Sequence, residues 1–273
     1  MDEFASYQSF AQVYDEFMDQ TPYRLWGENI RQYLRKYKVK DGADVLDLGC
    51  GTGRMTNLLD GFGYRMTGMD ISPEMLEIAA GSGNSEIFYI CQDMRELALL
   101  HPADAVISTC DSLNYILEPE DLIQVFVRVR ENLKEDGVFL FDMNTLYKYE
   151  TLLAENTFAE DREECSFIWQ NFYDQEDGIN EYDLTLFIRM ESGLYQKFEE
   201  VHFQRAYETE EIKEALRLAG FEIREVVDAD TLKEPETESE RLYFISTINH
   251  EVDRKSTRLN SSHITRSRMP SSA

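Results

Sequence analysis

Short apolar runs and longer amphipathic stretches take turns along the first half of the chain. Strand-like runs are predicted at residues 44–48, 64–69, 86–91 and 104–108. The stretches between them carry apolar residues three or four positions apart, which is the spacing of one helix face. The same alternation predicts a helix at 119–133, closed near Gly137, and a strand at 138–142. Strands that alternate with helices favour a doubly wound α/β fold, in which helices cover both faces of a parallel sheet.

The pattern changes on either side of this alternating part. Two N-terminal helices are predicted at 4–20 and 22–38. After residue 144 the pattern changes: residues 158–207 carry stretches with a period of two, and Asp177-Gly178 and Ser192-Gly193 supply hairpin turns. About three antiparallel strands are therefore expected, at 166–173, 181–191 and 195–207. A helix at 208–219 and two last strands at 221–228 and 241–248 follow them. The chain is predicted to have N-terminal helices at 1–38 and a core at 39–145. An antiparallel β insertion at 146–207 separates this core from its remaining part at 208–252.

A glycine-rich turn stands between the first predicted strand and the helix after it. Gly49, Gly51 and Gly53 occupy alternate positions, where glycine permits positive φ and a close approach by a ligand. Asp70 ends the next strand, where an acid can bind ribose hydroxyls in a nucleotide-binding βαβ unit. Dinucleotide folds use G-x-G-x-x-G. The G-x-G-x-G spacing here, with Asp47 just before it, disfavours an NAD-dependent oxidoreductase.

Five segments in the correct order resemble motifs of the class I S-adenosylmethionine (SAM)-dependent methyltransferases. Residues 45–53, Val-Leu-Asp-Leu-Gly-Cys-Gly-Thr-Gly, resemble the first motif. Residues 68–76, Gly-Met-Asp-Ile-Ser-Pro-Glu-Met-Leu, resemble the second. The other three are matched at 91–95, 104–108 and 133–142, with Glu-Asp-Gly in place of Pro-Gly-Gly in the last. The resemblance implies a Rossmann-like seven-stranded methyltransferase sheet and SAM as cofactor, with S-adenosyl-L-homocysteine as its product.

The resemblance also implies which residues hold SAM. Asp70 would accept both ribose hydroxyls, Asp93 would face the adenine amino group, and Tyr14 on a lid helix would close over the cofactor. Local structure offers alternatives, since Asp70 is also a suitable helix cap, Asp93 a surface turn residue and Tyr14 a core residue. The full predicted set lies on the glycine turn, the following strand ends and the first helix: Tyr14, Asp47, Gly49, Cys50, Gly51, Gly53, Asp70, Ile71, Asp93, Met94 and Cys110.

Candidate acceptor-side residues follow the fourth strand, because ligands of open α/β sheets lie at the carboxyl ends of strands. Asp111, Asn114 and Tyr115 are placed there to orient an acceptor, although they also suit loop capping. The segment lacks the N-P-P-Y sequence of methyltransferases that act on nucleobase or glutamine amides. His202 is the best-placed histidine for a base, because the insertion would cover the pocket; a histidine satisfied within its strand is the alternative. Asp111, Tyr115 and His202 form the predicted catalytic set.

Net charge, cysteine content and the lengths of apolar runs limit the partners, metal sites and location expected for the protein. The 273-residue chain carries a net charge of −26, and its basic run at 31–40 is short, so nucleic-acid substrates are disfavoured. Four cysteines without a C-x-x-C pair favour reduced thiols over a zinc or disulfide framework, and no metal site is predicted. An acidic N-terminus and no apolar run long enough for a membrane span favour a cytoplasmic protein.

The last residues differ from the rest of the chain. Residues 253–273 are basic and rich in serine, and they resemble a translated sequencing-adapter oligonucleotide. We interpret them as a non-native tail and exclude them from function. A native basic tail is the other interpretation.

The expected function is methyl transfer from SAM to nitrogen or oxygen of a small molecule. Two alternatives stay open, an RNA or protein methyltransferase and a non-catalytic SAM-binding module. The β insertion is expected either to cover a substrate or to form a homodimer contact.

Overall fold

A seven-stranded sheet runs through the computed structural model, which describes residues 11–250. Its strand order is β10-β11-β5-β4-β1-β2-β3. Strands β1 to β5, numbered along the chain, pair in parallel with their neighbours in the sheet. Strand β11 lies between β5 and β10 and is antiparallel to both. The strands are β1 (Asp44–Leu48), β2 (Arg65–Asp70), β3 (Phe88–Cys91), β4 (Ala103–Ser108), β5 (Leu133–Asn144), β10 (Phe221–Asp228) and β11 (Arg241–Ile248).

Helices cover both faces of this sheet and enclose two apolar cores. On one face α5 and α6 pack on the sheet around Phe126, Phe139 and Phe141. On the other, α2 and α3 pack around Ile30, Leu34 and other apolar side chains. The helices are α1 (Ala11–Phe17), α2 (Tyr23–Lys36), α3 (Arg54–Gly61), α4 (Pro73–Ser82), α5 (Pro119–Glu131) and α6 (Thr209–Leu218). Among residues 11–250, no helix is both long and apolar enough to cross a membrane.

A second sheet of four antiparallel strands is inserted after β5. It contains β6 (Thr157–Asp161), β7 (Cys165–Asp174), β8 (Ile179–Arg189) and β9 (Tyr195–Arg205). Alternate residues of β8 are buried, from Asn180 to Leu186, so one face of this sheet is turned inwards. Asn114 Nδ2 donates to the carbonyl oxygen of Arg205 at 2.9 Å, which docks β9 against the segment that follows β4.

The predicted fold class, a doubly wound sheet with an inserted antiparallel sheet, is confirmed. The structure adds three details to the prediction. The strand predicted at 138–142 begins at Leu133, because the turn-like residues before Gly137 form a register shift against β4 instead of a loop. The insertion has four strands; the short β6 is mostly exposed and lacks alternation. A π-helical turn, Lys148–Leu153, precedes it.

The N-terminal and C-terminal predictions are only partly covered. Within the described residues, the first predicted helix is seen as α1, and its portion at 4–10 lies outside them, as does the predicted tail at 253–273. The last two strands form an antiparallel hairpin at one edge of the sheet, in which β10 is the edge strand and β11 pairs with β5.

Candidate active site

The glycine turn lies at the carboxyl end of β1, beside the point where the strand order changes direction. Gly49, Gly51 and Gly53 have φ values of 76°, 53° and 76°, so each needs the left-handed conformation that glycine adopts without strain. A Cβ on Gly49 would lie 2.6 Å from Ser112 Cβ, whereas one on Gly51 would meet nothing within 4 Å. The turn therefore packs against the β4 exit on one side and leaves room for a ligand at Gly51.

Asp70, at the end of β2, is bonded to this turn. Its Oδ2 accepts from the backbone N of Gly51 at 2.8 Å, and its Oδ1 accepts from the backbone N of Ser72 at 2.9 Å. Burial raises the pKa of Asp70, and the backbone bonds oppose that shift. Each carboxylate oxygen has a second acceptor site, so the same group can take ribose hydroxyls. Helix α4 is capped by Ser72, whose hydroxyl accepts from Met75 N, and not by Asp70.

Asp47 is a buried carboxyl beneath the turn. Its Oδ2 accepts from Thr56 Oγ1 at 2.6 Å, while its Oδ1 is buried without a hydrogen-bond partner. Burial raises the pKa of Asp47 to about 7. A buried polar atom without a partner is costly, so an orphaned acceptor here fits a ligand that brings a donor. The open space over Gly51 and this acceptor together fit a ligand with an amino group.

Of the residues predicted to hold adenine, Ile71 and Met94 lie beside the glycine turn, whereas the Asp93 carboxylate already bonds another side chain. Ile71 is 36 % exposed and presents an apolar surface, and the Met94 side chain reaches the glycine turn near Gly49. The Asp93 carboxylate is already engaged, since it caps a 3₁₀ turn and bonds the Arg95 guanidinium at 2.6–3.1 Å. Burial raises the pKa of Asp93, and the Arg95 bonds outweigh it and lower the pKa overall. Its contact with adenine stays a prediction.

A buried ion cluster shapes the exit of β4. Cys110 and Asp111 have φ values of 60° and 54°, an unfavourable conformation for two consecutive residues other than glycine. Their backbone N–H groups donate to the Asp142 carboxylate at 3.0 and 2.8 Å. Arg241 donates to Asp142 at 2.8 Å and to Asp111 at 2.7 Å, and lies over the Trp26 ring. The Arg241 guanidinium, which bonds both carboxylates, therefore holds the strained turn at Cys110 and Asp111 in place.

The cluster extends into the insertion through Gln204. Its Nε2 donates to Asp111 Oδ2 at 2.7 Å, and Tyr149 Oη donates to its Oε1 at 3.0 Å. Both Asp111 oxygens are thus used by protein groups. These bonds fix the Asp111 carboxylate against the turn, and its catalytic role stays a prediction. Burial raises the pKa of the Cys110 thiol to about 12, so it stays protonated near the turn.

The fold brings Tyr115 and His202 together, although no local sequence pattern indicates this contact. Tyr115 Oη lies 3.4 Å from His202 Nδ1 and in close contact with Tyr182 Oη. His202 Nε2 lies 3.2 Å from Glu200 Oε2, and both side chains are buried. The Tyr182 and His202 rings stack, with centroids 4.8 Å apart. The result is a chain of carboxylate, imidazole and phenol groups that ends at Tyr115.

Helix α1 bridges the glycine turn and the insertion. Thr52 Oγ1 donates to Asp15 Oδ1 at 2.7 Å, and Arg54 donates to the carbonyl oxygens of Asp15 and Met18. On the other side, the ring of Phe17 meets that of Phe167 edge to face at 4.7 Å. Tyr14 on this helix is hydrogen-bonded to Tyr23 beside Cys110. This placement over the turn is consistent with the predicted lid.

Several site residues were missed by sequence reasoning. The missed residues are Asp142, Tyr149, Tyr182, Glu200, Gln204 and Arg241. Asp142 gave a usable signal, since it is an acid within an otherwise apolar run at the carboxyl end of a predicted strand. Arg241 gave none, because nothing in a single sequence pairs it with residues before the insertion.

Similarity to known proteins agrees with this geometry. Residues 45–137 match the family model described as a methyltransferase domain. YqeM of Bacillus subtilis, whose name assigns it provisionally to the methyltransferases, is 37% identical over 241 residues, which cover 87% of this chain and 95% of that protein. A SAM-dependent methyltransferase from Clostridium acetobutylicum has a solved structure with a TM-score of 0.80 and 31% identity, covering 89% of this chain and 99% of that one.

A more distant structure shows the same fold. The sugar N-methyltransferase KedS8 of Streptoalloteichus has a TM-score of 0.71 at 21% identity, over 87% of this chain and 93% of that one. The chain belongs to the SAM-dependent methyltransferases. It is a methyltransferase whose cofactor is SAM, as the motifs predicted.

The pKa of Asp47 gives an expected pH dependence. A folded-state pKa near 7 exceeds the ordinary value of about 3.9, so the free energy of unfolding should fall as pH rises between about 4 and 7. SAM affinity should change in the opposite direction, because ionised Asp47 is the stronger acceptor for a cationic amino group. We expect calorimetric SAM affinity to increase from pH about 6 to 8 and this slope to flatten in Asp47→Asn. Equal slopes in both proteins would assign the dependence to another group.

Proposed function

We propose that this methyltransferase acts on a nitrogen or oxygen atom of a small molecule held between the β4 exit and the inner face of the insertion. The observation that carries the proposal is the chain Glu200–His202–Tyr115, which runs from two buried side chains to a partly exposed phenol. Tyr115 ends the 3₁₀ turn Ser112–Tyr115, which touches the glycine turn because Ser112 Oγ donates to the carbonyl oxygen of Gly49 at 3.1 Å. The proton-accepting groups therefore lie next to the cofactor turn.

Bound SAM supplies an electrophilic methyl group, and an acceptor that arrives protonated must lose its proton for transfer to occur. Tyr115 Oη is placed to receive that proton while its own proton passes to His202 Nδ1. Glu200 fixes the ring through Nε2 and stabilises the imidazolium that results, which is the orienting role that a carboxylate plays for a catalytic histidine.

The cofactor would be held by the residues that the motifs predict. Asp70 would accept ribose hydroxyls, Ile71 would cover the adenine, and the orphaned Asp47 Oδ1 would accept from the amino group. Positive-φ glycines let the backbone approach the ligand. Holding both reactants in line supplies much of the rate enhancement in such a displacement.

A small acceptor is favoured by enclosure and charge. His202 is 1% exposed and Glu200 is 7% exposed, so these two groups lie on the buried inner face of the insertion. A net charge of −26 opposes the phosphate backbone of an RNA substrate. KedS8, whose fold is similar, is named as a sugar N-methyltransferase, which is consistent with a small polar acceptor. A homodimer through the β insertion and a cytoplasmic location stay predictions.

Calorimetry on the full chain tests the cofactor half of this proposal. We expect SAM and S-adenosylhomocysteine to bind and NAD not to bind. Asp70→Asn should weaken SAM binding by about 1.5–3 kcal/mol, the cost of losing a charged hydrogen-bond acceptor. Glu77→Asn, an exposed position on α4, is the matched control and should bind normally. Unchanged affinity in Asp70→Asn would leave Asp70 as a structural residue only.

Transfer of labelled methyl groups tests the acceptor half. Labelled SAM is incubated with the protein and separately with a low-mass metabolite extract, bulk tRNA and bulk protein. Label in the metabolite fraction supports the proposal. Label in tRNA or protein would favour the macromolecular alternative, and no transfer to any fraction despite SAM binding would favour a non-catalytic module.

A further inference from the structure

Lys148 is a cation near the acceptor side of the site that the proposed chemistry does not use. It begins the π-helical turn after β5, and its Nζ donates to Asn144 Oδ1 at 3.2 Å. Asn144 ends β5, stands opposite Arg241 in the strand register, and its backbone N donates to Asn114 Oδ1. Lys148 therefore lies at the carboxyl edge of the sheet, one hydrogen-bonded residue away from the segment that carries Tyr115.

Three carboxylates lie near Lys148, on Asp111, Asp142 and Glu240, and none of them forms an ion pair with it. Asp111 uses one oxygen for Arg241 and the other for Gln204. Asp142 uses one oxygen for Arg241 and the backbone of Asp111, and the other for the backbone of Cys110. Among residues 11–250, Lys148 forms no ion pair, and its one side-chain bond goes to a neutral amide.

An ammonium group has three N–H donors, so two of those on Lys148 have no protein acceptor among the described residues. Burial lowers the pKa of Lys148, the charge of Arg241 lowers it further, and the acids nearby oppose the shift. A half-buried cation with unused donors costs free energy that an incoming anion would offset.

We propose that Lys148 binds an anionic group, a carboxylate or a phosphate, on the methyl acceptor. The inference rests on the proposed function, since it names the chemical class of the molecule that this site methylates. It places the anion at the end of β5, near the chain that ends at Tyr115, so that Lys148 selects and orients the acceptor while Tyr115 receives the proton.

Binding of simple anions to the full-length protein tests this directly. Malonate, inorganic phosphate and the neutral analogue malonamide are titrated by calorimetry, with and without S-adenosylhomocysteine. We expect at least one anion to bind, and malonamide to bind about tenfold more weakly or not at all. Malonate alone would indicate a carboxylate on the acceptor, and phosphate alone a phosphorylated acceptor.

Variants at Lys148 assign the binding to this residue. Lys148→Met should weaken anion binding by about tenfold or more, and Lys148→Arg should retain most of it because the charge is kept. The control is Lys134→Met, which removes an exposed lysine paired with Asp44 and Asp104 near the opposite edge of the sheet. S-adenosylhomocysteine affinity in each variant reports whether the core remains folded.

Two results would overturn the proposal. One is anion binding that is equally strong in Lys148→Met with cofactor-product affinity intact. The other is wild-type protein that binds neither anion, or binds malonamide as well as malonate. Lys148-dependent anion binding without methyl transfer to any fraction would instead contradict the proposed function and leave the anion site standing.

Discussion

Replacing Arg241 by methionine is expected to destabilise the protein by about 3–5 kcal/mol, the usual cost of removing one partner from a buried ion pair. The variant leaves Asp111 and Asp142 side by side, each without the guanidinium that bonds it. It also loosens the turn at Cys110, whose positive φ is maintained by Asp142. Denaturant unfolding followed by circular dichroism measures the loss.

Arg224→Met is the matched control, because this arginine lies on the neighbouring strand β10 and pairs with Glu222 at the surface. Exposed pairs contribute about 0–1 kcal/mol, so this variant should unfold almost as the wild type does. Arg241→Lys should recover only part of the loss, since a single ammonium cannot fork to two carboxylates. Equal stability of Arg241→Met and Arg224→Met would show that the cluster contributes nothing.

The loss of unfolding free energy in Arg241→Met should also depend on pH. Burial raises the pKa of Asp142, and Arg241 opposes that shift. Without Arg241 the folded-state pKa of Asp142 rises further above its unfolded value, so the free energy of unfolding of the variant falls as pH increases. We expect the difference from wild type to be larger at pH about 8 than at about 5.

His202→Ala is expected to lower kcat by about 10²–10⁴-fold, the usual contribution of a positioned general base, with little change in SAM affinity. Tyr115→Phe should behave in the same way, because it removes the hydroxyl next to His202 Nδ1 and keeps the ring. The two changes interrupt one chain, so the double variant should be scarcely slower than either single variant. Methyl transfer and SAM calorimetry on the same preparations provide the comparison.

Tyr195→Phe is the matched control, since Tyr195 is an exposed tyrosine on β9 that donates to the carbonyl oxygen of Glu163. It should leave both kcat and SAM affinity unchanged. A loss of SAM affinity as large as the loss of kcat in His202→Ala or Tyr115→Phe would move these residues to the cofactor side of the site. Multiplicative effects in the double variant would show that they act independently.

Local pattern was enough to predict most of the sheet. Strands β1, β10 and β11 were predicted at their observed bounds, because apolar runs between turn residues leave little choice of structure. The differences from the prediction fell where local and tertiary preferences compete. Residues before Gly137 are typical of a turn, yet Leu133 pairs with Ala103 of β4 across a register shift, so β5 begins before them.

The candidate site divides in the same way. The cofactor side was readable because Gly49, Gly51, Gly53 and Asp70 belong to one strand–turn–helix unit whose backbone sterics are local. Asp111 was predicted as an acceptor contact, and that stays a prediction. Its bonds to Arg241 and Gln204 could not be predicted, because these residues follow it by 130 and 93 positions.

The sequence by itself determined the alternating strands and helices and the glycine turn, because hydrophobic period and glycine conformation act over a few neighbouring residues. Its resemblance to methyltransferase motifs supplied the class of protein and the cofactor. Only the tertiary structure decided which polar groups meet over that turn. Tyr115 and His202 are 87 residues apart, and Arg241 and Asp142 are 99 apart. Such pairs form when strand order and the docking of the insertion bring distant strand ends together, and burial then fixes which donor satisfies which acceptor.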